Sequence, residues 1–140
     1  MKKLKIYLAA LLITGLSTIC SAEVAVIVSP SSGISSLSKQ DIARIYLGKA
    51  KSFPNGQKAV PVQLFEDSPT RDKFNEEICN KSASQFKAHW SKLVFTGKGK
   101  PPEIINSDSE VVKAVALDPN KIGYVDASAV DSSVHVVYKF

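Results

Sequence analysis

Apolar positions recur along this chain with two spacings, one suited to strands and one to helices. Glu23 to Ser29 (EVAVIVS) is a β-branched run closed by Pro30, and it predicts a short buried strand. Pro30-Ser31-Ser32-Gly33 reads as a turn. Ser38-Lys39-Gln40-Asp41 has the form of a capping box, and Ile42, Ile45 and Tyr46 follow at i, i+3 and i+4. That spacing predicts an amphipathic helix of about ten residues, stopped by Gly48 as a C′ glycine. Pro54-Asn55-Gly56 marks a loop. Ala59 to Phe65 (AVPVQLF) predicts a second strand, in which Pro61 points to an edge position or a bulge.

The second half is richer in helices. Ser68 is a good N-cap with Pro69 at the first helical position, and Phe74 and Ile78 form an apolar pair four residues apart. Ser82-Ala83-Ser84-Gln85 is another capping box. Phe86, Trp90, Leu93 and Val94 line one face behind it, and the helix ends near Gly97. Lys98 to Pro102 reads as an extended, exposed loop. Ser107 to Glu110 opens a third box, with Val111, Val112, Val115 and Ala116 as the apolar face, and Asp118-Pro119-Asn120 breaks that helix. Ile122 to Val125 and Val134 to Tyr138 predict two more strands. The order β-α-β-α-α-α-β-β implies an α/β layered domain, with ligands expected at the carboxyl ends of strands and against helix N-termini.

The first 22 residues stand apart. Lys2, Lys3 and Lys5 precede an uncharged apolar stretch from Ile6 to Ile19, followed by Cys20-Ser21-Ala22. This is the pattern of a secretory signal peptide cut between Ala22 and Glu23, and the stretch is shorter than the roughly 20 residues a spanning helix needs. A lipid anchor on Cys20 is the competing reading; the bulky Ile19 before it argues against that. The expected mature domain, 23–140, is a soluble periplasmic protein. Removing three lysines and no acid lowers the net charge from +5 to +2. No basic stripe interleaved with aromatics remains, which argues against nucleic acid as a partner. Only Cys79 is left of the two cysteines, so no internal disulfide can close. The Ile78-Cys79 pair is expected on an apolar helix face, with the thiol buried.

Several features carry less than they suggest. Gly97-Lys98-Gly99-Lys100 lacks phosphate-loop spacing. His89 and His135 are isolated, which favours solvated or core roles over metal binding. No Gly-x-Ser-x-Gly elbow occurs, so no enzyme activity, cofactor or metal is expected. Trp90, spaced with Phe86 and Leu93, belongs to a core. Ile45 to Lys51 echoes Val94 to Lys100, which reads as two helices stopped by the same glycine and lysine chemistry.

Four segments in order resemble phosphate ABC transporter substrate-binding proteins: Ser38 to Lys49 (SKQDIARIYLGK), Val60 to Phe74, Trp90 to Pro102 (WSKLVFTGKGKPP) and Val111 to Val125 (VVKAVALDPNKIGYV). Together they cover most of the expected mature chain. The resemblance implies a type 2 periplasmic binding protein-like fold. That family closes two α/β lobes on phosphate; the 118 residues from Glu23 to Phe140 suffice for one, a mixed sheet flanked by helices.

The resemblance also implies an anion site. The family's Asp-Gly-Ser-Gly-Thr motif corresponds here to Glu66-Asp67-Ser68-Pro69-Thr70, so Ser68 and Thr70 match hydroxyl donors. Pro69 removes one backbone N–H, and Leu64 stands near the position of the family's Arg. Arg71 is the compensating charge, placed at a helix start that itself attracts anions. Ser29, Ser31, Ser32 and Gly33 follow the first strand, where the family places an anion-contacting loop. Each group has a plain alternative: Ser68 merely caps its helix and Arg71 is solvated, and the Ser29 to Gly33 segment is a polar surface loop. The expected function is non-catalytic binding of phosphate or a similar oxyanion, with an ABC permease or other envelope protein as partner, or a second copy of the chain completing the cleft. The alternative is a periplasmic interaction module, a binding-protein lobe that has lost its ligand.

Overall fold

The computed structural model describes residues 22–140, so the signal-peptide reading lies outside the described residues except at Ala22. Five strands are interleaved with four helices: β1 (Val24–Val28), α1 (Lys39–Tyr46), β2 (Val60–Leu64), α2 (Pro69–Glu77), α3 (Ala83–Phe95), β3 (Glu103–Ile105), α4 (Asp108–Leu117), β4 (Lys121–Asp126) and β5 (His135–Lys139). Short 3-10 turns span Pro30–Ser32 and Ala127–Ala129. The sheet order is β3-β2-β4-β1-β5. β2 is parallel to β3 and β4, and β1 is antiparallel to β4 and β5, so the sheet is mixed.

The expected elements are present, with one addition. Glu103–Ile105, directly after the expected loop, pairs with Val62 to Leu64 as a parallel edge strand. Three residues with two exposed side chains leave no periodicity to read. Pro61 lies in an interior strand, and its pairing with Ile122 is regular. Proline is tolerated because β3 pairs only from Val62 onward. The Val60 N–H already donates toward β4, to the Asn120 carbonyl at 2.8 Å. By the alternation of strand backbones, the Pro61 nitrogen faces the side where β3 has not yet begun.

Each helix starts at a serine whose hydroxyl accepts an N–H of the first turn: Ser38, Ser68, Ser82 and Ser107. Only Ser82 with Gln85 completes the reciprocal box. α2 ends before Ile78, its C-cap, so Cys79 sits just beyond the helix; it is buried, and burial raises its thiol pKa to about 12. Such a thiol stays protonated and unreactive near neutral pH.

The core holds an aromatic stack. Phe74 lies parallel to Tyr124 at 3.9 Å between ring centres, and Tyr46 meets Phe74 edge-on at 4.6 Å. The two tyrosines also serve the sheet. The β2–β4 pairing runs from Val60–Lys121 to Pro61–Ile122. Just past it, the Tyr46 hydroxyl lies 2.8 Å from the Val62 carbonyl and 3.1 Å from that of Ile122. The Tyr124 hydroxyl accepts the Leu64 N–H at 3.4 Å. Side-chain hydroxyls thus satisfy backbone groups that the separating strands leave unpaired. Burial raises the pKa of both phenols, which keeps both hydroxyls neutral, Tyr46 as donor and Tyr124 as acceptor. Behind β4, α4 packs so close that a Cβ on Gly123 would stand 2.7 Å from Val111 Cγ1.

Candidate anion-binding site

The register of the sheet decides which candidate residues can meet. Val28 at the end of β1 pairs with Ile122, and Ile122 pairs with Pro61 near the start of β2. The segment after β1 therefore leaves the sheet at the end where β2 begins. Ser68 and Arg71 follow the other end of β2. At about 3.3 Å per strand residue, the two groups lie roughly 10 Å or more apart along the strands. Ser29 to Gly33 and Ser68 to Arg71 therefore lie at opposite ends of the sheet and do not converge, a relation the sequence left open. The antiparallel placement of β1 is the cause, and nothing in the local sequence encodes it.

The Ser29 group is also occupied internally. Ser29 Oγ lies 2.8 Å from Ser31 Oγ and accepts the Ser31 N–H. Ser32 Oγ accepts the Ile34 N–H at 3.2 Å, and Gly33 takes a left-handed φ of 74° to close the turn. These hydroxyls hold a turn together.

At the other end, Ser68 is buried and its Oγ accepts the Arg71 N–H at 3.2 Å, which fixes the first turn of α2. Thr70 is half-buried and its hydroxyl has no hydrogen-bond partner among the described residues. Arg71 is only 7% exposed. Its Nη1 donates to the Leu64 carbonyl at 3.0 Å, and its other donors find no partner among the described residues. The two ion pairs there, Lys87–Glu66 at 3.7 Å and Lys139–Glu23 at 2.8 Å, leave Arg71 out. A mostly buried cation without a carboxylate is costly, which makes it the point where an anion would bring most.

Two adjoining cavities open beside it. One, of about 190 Å³, is lined by Glu66, Asp67, Arg71, Ala83, Ser84 and Lys87. Ala83 and Ser84 are the first residues of α3, so this cavity faces the positive end of a 13-residue helix. The other, of about 240 Å³, shares Glu66, Arg71 and Lys87 and continues along Gln63, Trp90 and Ile104. Ser68 and Thr70 line neither cavity. Ser84 and Lys87 went unnoticed in the sequence because α3 reads as a core helix. Glu66 would oppose an anion, but it is paired with Lys87.

Acids mark the far side of the same sheet end. Asp108, at the start of α4, has its pKa raised by burial and by the nearby Asp126 carboxylate, against the Asp126 N–H that donates to it. The Asp126 pKa is lowered, chiefly by hydrogen bonds from the Ser128 hydroxyl and N–H. The Arg71 side also carries two acids, Glu66 and Asp67, but there Arg71 and Lys87 offset them. Among the described residues, no group of three His, Cys, Asp or Glu is placed to hold a metal, and no helix is long and apolar enough to cross a membrane.

No family model and no curated protein matches the chain. Solved structures do. An ABC-type phosphate transport receptor from Vibrio cholerae superposes with a TM-score of 0.64 at 20% identity, over 83% of this chain and 46% of that one. A protein from Clostridium perfringens, described as a phosphate ABC transporter substrate-binding protein and solved with bound phosphate, gives 0.65 at 25% identity, over 83% and 45%. PstS from Borrelia burgdorferi gives 0.60 at 15% identity, over 83% and 47%. The fold is therefore that of one lobe of a periplasmic binding protein, and the chain spans less than half the length of these structures.

Proposed function

We propose that this chain is an exported, non-catalytic solute-binding protein that takes phosphate or a similar oxyanion at the carboxyl end of β2. The observation that carries this is Arg71: buried, without a carboxylate partner, and lining both cavities. Ser68 holds the first turn of α2 so that the guanidinium is held in place, and the unpaired Thr70 N–H lies in the same turn. Ser84 and the start of α3 supply further donors, and Lys87 at the rim offsets the charge of Glu66. The fold likeness supports solute binding as the role, in the periplasm, with an ABC permease or other envelope protein as partner.

A single lobe leaves such a ligand partly in water, where charge pairs contribute only about 0–1 kcal/mol each. Affinity should therefore be weak in the monomer and rise if a second copy or another protein covers the site. Calorimetric titration of the 23–140 chain with phosphate tests this. Saturable binding, weakened about ten-fold or more in Arg71→Ala, is expected from losing a charge-assisted hydrogen bond of about 1.5–3 kcal/mol. No heat at millimolar phosphate, or equal affinity in wild type and variant, would remove the reading. Thermal unfolding of the variant separates lost binding from lost fold.

A further inference from the structure

The larger cavity has walls that inorganic phosphate cannot use. Beyond Arg71 it runs between α3 and β3, past Phe86, Trp90, Val94 and Ile104. Phe86 and Trp90 belong to the core, at 2% and 6% exposure, and they fix the cavity floor. Val94 and Ile104 are different: they stand 49% and 51% exposed on the two facing elements. Val94 falls on the apolar face that the helix pattern predicts, yet about half of it stays open. The cavity therefore has a charged end and an apolar end within about 240 Å³, slightly below the roughly 300 Å³ at which sites for drug-sized ligands begin.

We infer that the site takes a small organic anion, an oxyanion head joined to an apolar body, in preference to inorganic phosphate. This rests on the proposed oxyanion site at Arg71 and names its ligand class. The head pairs with the guanidinium of Arg71, which lines both cavities. The body lies along Val94 and Ile104, where removing apolar surface from water adds affinity that a bare tetrahedral anion cannot gain. Gln63 also lines this cavity. It is 4% exposed, its amide nitrogen donates to the Pro102 carbonyl at 2.9 Å, and its oxygen has no partner among the described residues. The held amide ties β2 to the segment that carries Pro101 and Pro102. Glu66 is the one acid on this cavity, and its pairing with Lys87 leaves the charge of Arg71 uncompensated.

Phenylphosphonate and inorganic phosphate, titrated in parallel into the 23–140 chain, test this. Phenylphosphonate should bind at least ten-fold more tightly. Val94→Gln, at an exposed position of α3 that accepts a polar residue, should bring the ratio of the two affinities toward one. Ile104→Ser should act in the same direction from the opposite wall. Phosphate binding with no preference for phenylphosphonate would overturn the inference and leave the oxyanion site standing. A preference that survives both substitutions would also overturn it, since the body would then lie elsewhere. Binding of neither ligand would remove both readings.

Discussion

The two ends of the sheet carry similar residues and differ in what those residues do. At the end where β2 begins, Ser29, Ser31 and Ser32 bind one another and their own backbone, and Gly33 closes the turn. At the other end, Ser68 binds a single N–H, while Arg71 has donors without a partner among the described residues and lies against open space. Hydroxyls near a strand end signal nothing by themselves, because a turn can use them all. A largely buried guanidinium that lines a cavity and has no carboxylate partner signals more, because an anion there gains charge-assisted hydrogen bonds. The difference also has a mechanical side. β2 and β4 are ladder-paired at the first end, and tyrosine hydroxyls replace the ladder toward the second.

The largest effect should come from removing the floor of the cavity at the Arg71 end. Trp90 packs against Gly48, where a Cβ would stand 2.7 Å from its ring, and its Nε1 donates to the Tyr46 carbonyl at 3.0 Å. Trp90→Ala should cost about 3–5 kcal/mol, read as a lowered midpoint in urea unfolding. A loss below about 1 kcal/mol would mean that the end of α1 and α3 are not held together there.

Next in size is the replacement of the ladder by hydroxyls. Tyr46→Phe strands two buried carbonyls and should cost about 1–3 kcal/mol. Tyr124→Phe should cost less, because its hydroxyl meets the Leu64 N–H at a long 3.4 Å. The reverse order would show that the Tyr124 contact, despite its length, closes the gap between the strands.

The serines sharpen the comparison directly. Ser29→Ala and Ser68→Ala each remove a cap and should cost about 1 kcal/mol. Phosphate affinity should fall only in Ser68→Ala, because that cap orients the turn carrying Arg71. Equal loss of affinity in both, measured by the same titration, would reunite the two ends functionally and contradict the separation that the register implies.

Much of this was legible in the sequence, and the exceptions have physical reasons. The strands β1, β2, β4 and β5 and all four helix starts follow from β-branched runs and serine caps, which are local signals. β3 was not legible, since a three-residue edge strand is defined by its partner β2. The meeting of Ser68 with Arg71 was local and could be read. The separation of Ser29 from both depends on β1 running antiparallel to β4, a long-range fact. Ser84 and Lys87 were hidden for a related reason. Their relevance comes from the packing of α3 beside the Glu66–Asp67 loop, which no motif within α3 announces.

The smallest effect concerns the acids at the edge of the Arg71 end, and its sign can be worked out. Burial, and then the Asp126 carboxylate, raise the folded-state pKa of Asp108 above the ordinary carboxylate value, against the one Asp126 N–H that favours its ionised form. A carboxyl with a raised folded pKa binds its proton more tightly when folded. Its contribution to stability therefore declines as pH rises through the carboxylate range, and the folded state carries the full penalty at neutral pH. Asp126 has the opposite dependence. Its folded pKa is lowered, first by the Ser128 hydroxyl and N–H, so its contribution is present at neutral pH and is lost on acidification. Asp108→Asn removes the penalised charge and relieves its neighbour. The position is solvent-accessible, so the gain should be small, up to about 0.5 kcal/mol at pH 7, and should vanish near pH 3, where Asp108, with its raised pKa, is already protonated. Chemical unfolding at the two pH values measures it. A variant less stable than wild type at pH 7 would mean that the ionised Asp108 helps hold the start of α4, as an acid in a first helical turn ordinarily does.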